Sequence, residues 1–190
     1  MGTIIVYGHT CHGAERNSVL FNSFQKGLIE VSFLTGYGVA NISEGYYEIL
    51  VCNPRFEFSA KPLAKKINFR PVGVLNFVVE PFANVITQPN SNVEVGISLL
   101  LKYGHHFTSS LLGFIEGGTG MLYTSQNTLE QSTRFNFISQ CGLGFQYSFT
   151  PGWALSGEYR FRHISNAGIS EPNDGINLSL FLIGFSYLYH

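Results

Sequence analysis

The stretch Val93-Glu94-Val95-Gly96-Ile97-Ser98-Leu99-Leu100-Leu101-Lys102-Tyr103 alternates with a period of two. Val93, Val95, Ile97, Leu99, Leu101 and Tyr103 share one face, and Glu94, Gly96, Ser98 and Lys102 share the other, with Leu100 the exception. Successive side chains of an extended strand point to opposite faces, whereas a helix repeats every 3.6 residues, so this is a strand with one apolar and one polar face. Working outward, Phe135, Phe137, Leu143, Phe145, Tyr147 and Phe149 alternate with Asn136, Gln140, Gly142, Gly144, Gln146 and Ser148. Trp153, Leu155, Tyr159 and Phe161 alternate with Ser156, Glu158, Arg160 and Arg162, and Leu75, Phe77, Val79 and Val85 stand opposite Asn76, Glu80 and Asn84. Eight such segments are read, at about 25–38, 46–60, 73–86, 93–106, 111–123, 134–149, 153–165 and 177–189. Pro54 predicts a bulge or a change of phase in the second. The fifth is rich in glycine, with Gly113, Gly117, Gly118 and Gly120.

Composition narrows what such strands can build. Only 12% of the 190 residues are charged, about half the ~25% of ordinary soluble domains. Aromatic residues reach 15%, with 17 Phe and 10 Tyr, and glycine supplies 21 positions. That balance excludes a disordered chain and a heavily charged soluble surface. A formal net charge of −1 leaves no basic footprint for nucleic acid. No apolar run approaches the ~18 residues of a spanning helix, which excludes a helical membrane protein. Two all-β readings compete. A soluble lipid-binding barrel turns its apolar face inward and its charged face to water. A transmembrane barrel turns its aromatic face to lipid and packs its polar face inside. The polar faces here carry Gly, Ser, Asn and Gln with isolated Glu and Arg that can pair, rather than the dense Lys and Glu of a solvated surface, which favours the second. The last segment closes on Phe181, Ile183, Phe185, Tyr187 and Tyr189 in strict alternation, as the closing strands of outer-membrane proteins do. The expectation is an all-β, eight-stranded antiparallel outer-membrane β-barrel forming one domain over 25–190, with a narrow interior of small polar side chains, preceded by an N-terminal segment over 1–24.

The connections set an orientation. Links near 107–110 and 150–152 are short, while those near 39–45, 124–133 and 166–176 are longer and polar. Short turns face the periplasm and long loops the exterior, so the seventh segment ends at the cell surface. The link at 61–72, carrying Lys61, Lys65, Lys66 and Arg70, falls on the periplasmic side and is longer than that rule expects. The opening residues show neither a basic n-region nor an apolar stretch of signal length; an exported chain would then begin as a mature form or at a miscalled start. Cys11, Cys52 and Cys141 form no CxxC pair and read as inert thiols, Cys11 lacking the small and aliphatic residues that precede a lipid-modified cysteine. His105 and His106 are adjacent and face opposite sides, and His9 and His12 flank Cys11 without a fourth ligand, so no metal site is expected.

The chemistry concentrates between the last two segments, in Arg162-His163-Ile164-Ser165-Asn166-Ala167-Gly168-Ile169 and Pro172-Asn173-Asp174-Gly175-Ile176-Asn177. His163 and Ser165 are two apart and share a strand face. A serine beside a histidine can be a nucleophile activated by a general base, although an isolated His-x-Ser more often caps a strand end. Parity sharpens the pair: both continue the face of Trp153, Leu155, Tyr159 and Phe161, the lipid side, where polar groups are costly without a partner or a task. A hairpin symmetric about residue 170 puts Asn177 opposite His163 on that face. Glu158 has the wrong parity to assist.

This RHISNAGI…PNDGIN string resembles the signature of the lipid A 3-O-deacylases, eight-stranded outer-membrane esterases, over about residues 155–189. The resemblance implies a serine esterase of the bacterial outer membrane that removes the acyl chain ester-linked at position 3 of lipid A, with lipopolysaccharide in the outer leaflet as partner and no cofactor. It implies His163 as general base, Ser165 as nucleophile, and Asn166 or the N–H groups through Gly168 as oxyanion donors. Founding members carry a glutamate where Asn177 stands. An asparagine carbonyl can accept the imidazole N–H but offers no negative charge, and Asp174 and Glu171 in the same loop are alternative acids. A non-catalytic barrel that keeps the motif as an architectural hairpin is the competing reading.

Overall fold

The computed structural model describes residues 27–189. The expected segment over 1–24, with His9, Cys11 and His12, lies outside the described residues. Eight strands follow in order: β1 (Leu28–Ile42), β2 (Gly45–Ser59), β3 (Val74–Gln88), β4 (Asn92–His106), β5 (Leu111–Thr124), β6 (Phe135–Thr150), β7 (Trp153–Ser165) and β8 (Ile176–Leu188), with one short helix, α1 (Lys61–Lys66), between β2 and β3. Each strand pairs antiparallel with the next, and β1 pairs with β8 to close the barrel. Strands run 13 to 16 residues. At ~3.3 Å per residue they reach about 43–53 Å, and at ~45° tilt they cover about 30–37 Å along the axis, enough for a ~30 Å hydrocarbon core.

Alternation holds around the wall. Val93, Val95, Ile97, Leu99, Leu101 and Tyr103 of β4 are exposed outward, and Leu100 turns inward and is buried. The aromatic face is therefore an outer skin, which removes the soluble lipid-binding alternative. Two connections differ from expectation. The link expected over 39–45 is a turn of Ser43 and Glu44 alone, because Val39 through Ile42 continue the pairing with β2. Two-residue hairpins keep the twist of both strands without a loop. Pro54 causes neither bulge nor phase change: it pairs with Phe33, and Asn53, Arg55 and Glu57 stay buried on either side. The β2–β3 ladder pauses between Leu50↔Val85 and Phe56↔Val79 with its register unchanged. Pro81 thus falls opposite Pro54, so two residues without an N–H meet where no ladder bond is made.

The interior is bulkier than the small polar filling expected. At mid-barrel Arg55 and Arg160 both bond Glu80 and Glu116, and Arg160 also bonds Glu158 at 2.6 Å. Lys102 donates to Glu57 at 2.8 Å, and Arg162 to Glu94 at 2.6 Å. Toward the end where β7 finishes, Leu34, Ile49, Ile86, Leu122, Ile138, Ile164, Leu178 and Leu180 form a buried apolar cluster. Ion pairs in the middle and aliphatic side chains at this mouth close the lumen. The barrel is a packed core beneath its functional end rather than a channel.

Candidate active site

β7 delivers His163 and Ser165 to the outer face at the barrel mouth, both half-buried, while Arg162, Ile164 and Asn166 point inward and are buried. Ile164, packed in the apolar cluster between them, pins the strand end that carries the pair. The β7–β8 register sets His163 opposite Asn177. His163 Nδ1 lies 2.7 Å from Asn177 Oδ1. With the amide oxygen toward the ring, Nδ1–H donates and Nε2 keeps its lone pair for a substrate-side proton. Among the described residues no hydrogen bond joins the Ser165 hydroxyl to the ring. Such contacts commonly tighten only when substrate binds.

Gly175 holds the ring from the loop side. Its φ is +79°, a conformation that L side chains rarely adopt. A Cβ there would lie 2.6 Å from His163 Cε1 and 3.3 Å from Nε2. Glycine is therefore required twice, by the backbone and by the ring edge that carries the working nitrogen. The sequence contains Gly175 within the PNDG run, but its contact with His163 depends on how residues 166–175 fold back.

That link is tied down through Asn166. Its N–H donates to Asn173 Oδ1 at 2.8 Å, and its Nδ2 donates to the Ser170 carbonyl at 2.7 Å and to Ser132 Oγ at 3.3 Å. Its Oδ1 accepts the Gly168 N–H at 3.0 Å. Asn166 and Gly168, expected as oxyanion donors, are thus bonded to each other and to the loop, with Ala167 and Gly168 both at positive φ. The expected alternative acids, Glu171 and Asp174, are exposed and make no bond to the ring, whose Nδ1 is taken by Asn177. Sequence reading missed the brace from residues 125–134. Gln131 bridges Asn173, the Ser132 N–H donates to the Pro172 carbonyl at 3.1 Å, and the Asp174 N–H donates to the Glu130 carbonyl at 3.0 Å. Glu130 in turn accepts the Ser43 N–H, so the first and third loops both support the fourth. No residue-type pattern in 125–134 signals that role. His105 packs edge-on against Phe107, and no cluster of three or more His, Cys, Asp or Glu side chains able to hold a metal occurs among the described residues.

Comparisons with known proteins agree with this architecture. The crystal structure of the outer membrane enzyme PagL superposes with a TM-score of 0.52 at 18% identity, over 84% of this chain and 99% of that one. Neisserial surface protein A superposes with a TM-score of 0.60 at 17% identity, over 85% of this chain and 97% of that one. Ail, the attachment invasion locus protein of Yersinia pestis, gives 0.51 at 15% identity, over 85% and 99%. At such identities these likenesses concern the fold, and the barrel resembles those of outer-membrane proteins. A comparison with curated protein sequences gives no match. The family profile described as lipid A 3-O-deacylase (PagL), by contrast, matches residues 75–186, from β3 through nearly all of β8 and including the whole histidine–serine hairpin. With more than half of its length matched, this chain belongs to the lipid A 3-O-deacylase (PagL) family.

Proposed function

We propose that this protein is an outer-membrane serine esterase that hydrolyses the acyl ester at position 3 of lipid A. The observation that carries the reading is the His163 ring, held at Nδ1 by Asn177 on the outer face of the barrel, two residues from Ser165. With the chain ends in the periplasm, that face meets the outer leaflet, and a lipid ester reaches it sideways without entering the filled lumen. Ser165 Oγ attacks the acyl carbonyl while His163 Nε2 takes its proton. Of the 166–168 turn that follows Ser165, the Asn166 and Gly168 N–H groups are taken by the loop, and the Ala167 N–H is assigned to the oxyanion. His163 returns the proton to the departing sugar oxygen, leaving an acyl-serine. A water, deprotonated by the same ring, then releases the fatty acid. The chemistry needs no metal or organic cofactor. Asn177 orients the ring through its carbonyl dipole but adds no charge to steady the imidazolium. That missing charge is what favours the second reading, a non-catalytic surface barrel.

Incubating the purified chain in detergent with lipopolysaccharide tests the reading. Mass spectrometry of the lipid A is expected to show loss of one ester-linked acyl chain, from position 3. Lipid A that keeps all its acyl chains would sink it.

Gly175 offers a sharper probe. Gly175→Ala and Gly152→Ala introduce the same backbone strain, since both glycines have φ +79°. Only the first drives a Cβ into the His163 ring; at Gly152 the nearest atom is a Tyr187 ring carbon at 3.4 Å. Displacing a catalytic group by about 1 Å lowers rates by about 10²-fold. Gly175→Ala is therefore expected to lose about that factor in deacylation, with Gly152→Ala retaining the wild-type rate. Equal losses would mean that strain, not ring placement, explains the glycine.

A further inference from the structure

The link between β2 and β3 was longer than a periplasmic turn requires, and the structure shows what it contains. Residues 60–72 read Ala-Lys-Pro-Leu-Ala-Lys-Lys-Ile-Asn-Phe-Arg-Pro-Val, with four basic residues and no acidic one. The segment is ordered: α1 is followed by a turn in which the Ile67, Asn68 and Phe69 N–H groups bond carbonyls of Ala64 and Lys65, and the Ala60 N–H bonds the Leu75 carbonyl of β3 at 2.9 Å. Within α1 only Ala64 is buried. Lys61, Lys65, Lys66 and Arg70 are exposed, and among the described residues none has a carboxylate partner. Beside them Leu63, Ile67, Phe69 and Val72 are exposed too, Ile67 at 73% and Val72 at 91%. Ordered apolar side chains in water, interleaved with unpaired cations, describe a surface built for a partner that is both anionic and greasy. An anionic phospholipid headgroup region has both properties at the same depth.

We propose that residues 60–72 are a foot on the inner leaflet, laying Leu63, Ile67 and Phe69 into the acyl boundary and their basic neighbours against anionic phospholipid headgroups. Two observations select this occupant: the uncompensated positive charge, and continuity with the lipid-facing wall through β3, whose Phe77 is exposed just beyond the Ala60–Leu75 bond. The proposal rests on the outer-membrane reading, with this end of the barrel in the periplasm, and not on the esterase chemistry.

The 190-residue chain carries a single tryptophan, Trp153, on the outer face of β7 at the same end of the barrel. In wild-type protein reconstituted into vesicles, Trp153 fluorescence reports insertion of the barrel. A Trp153→Phe, Phe69→Trp double variant reports the foot, and Ile67→Trp in place of Phe69→Trp gives a second site. Vesicles are phosphatidylcholine alone or mixed with phosphatidylglycerol, each with lipids brominated near the headgroup as quencher. A basic residue near an anionic surface shifts such docking by about fivefold. The expected result is at least twofold stronger quenching of the introduced indole in the anionic vesicles, reversed by salt and removed by Lys65→Gln with Lys66→Gln. Unquenched, water-like emission there, while wild-type Trp153 is quenched, would overturn the proposal with the barrel still inserted. Equal quenching in both vesicle types would overturn the anionic partner. Failure to quench Trp153 would remove the membrane reading and this proposal together.

Discussion

Ser165→Ala is expected to remove between about 10² and 10⁶ of the deacylation rate, and the width of that range is set by Asn177. Deleting the nucleophile of an intact charged triad costs about 10⁶-fold. Exchanging the carboxylate of such a triad for an amide costs about 10⁴, through the wrong imidazole tautomer. If Asn177 imposed that whole penalty, the wild type would keep only about 10² over the serine-less chain. The 2.7 Å contact from Nδ1 to Asn177 Oδ1 holds the ring in the productive tautomer, so the loss should exceed that lower bound. The reciprocal change, Asn177→Asp, restores a carboxylate with almost no change in shape. It should raise the rate of the wild type and leave that of Ser165→Ala unchanged, because an oriented base without a nucleophile has nothing to activate. Initial rates of fatty-acid release from lipopolysaccharide micelles read all of this. A Ser165→Ala rate within twofold of wild type would remove Ser165 from the mechanism.

The second large effect concerns stability. Arg160→Ala is expected to destabilise the barrel by about 3–5 kcal/mol, the range for removing one partner of a buried ion pair. Arg160 Nη1 meets Glu80 at 2.6 Å, Nη2 meets Glu116 at 3.0 Å, and Nε meets Glu158 at 2.6 Å, with every group buried. Its loss leaves three carboxylates to Arg55, in a lumen where Glu30, Glu57, Glu80, Glu94, Glu116 and Glu158 already outnumber Arg55, Lys102, Arg160 and Arg162. Arg160→Met should do no better, because it restores volume and not charge. Adding Glu80→Gln to Arg160→Met should recover part of the loss by removing one stranded carboxylate. Denaturant midpoints in detergent or lipid measure the series. A loss below about 1 kcal/mol, the value of an exposed pair, would show that water reaches the network.

Much of the fold was legible because a strand's inside–outside pattern is local. Leu100 was the exception in β4 by sequence, and it is an inward leucine of the lumen in the structure. The failures are also particular. Val39 through Ile42 read as loop because Gly38 and the polar residues after it blur the alternation, yet pairing with β2 carries the strand on. Pro54 read as a defect because a missing N–H disturbs a ladder only where a bond must be made, and the β2–β3 ladder is interrupted where Pro54 faces Pro81, itself without an N–H. The bulky filling was missed because parity tells which side chains face inward and not how many ion pairs they form.

For the candidate site the division is similar. The sequence by itself determined the barrel class and the sidedness of His163 and Ser165, since period two follows from backbone geometry at each residue. It offered Asn177 opposite His163 only on an assumed hairpin symmetry. The tertiary structure alone decided that register, the seat of the His163 ring against Gly175, and the brace from Glu130, Gln131 and Ser132. These arise where chain segments far apart in sequence meet, and their contacts depend on loop paths that no local periodicity records.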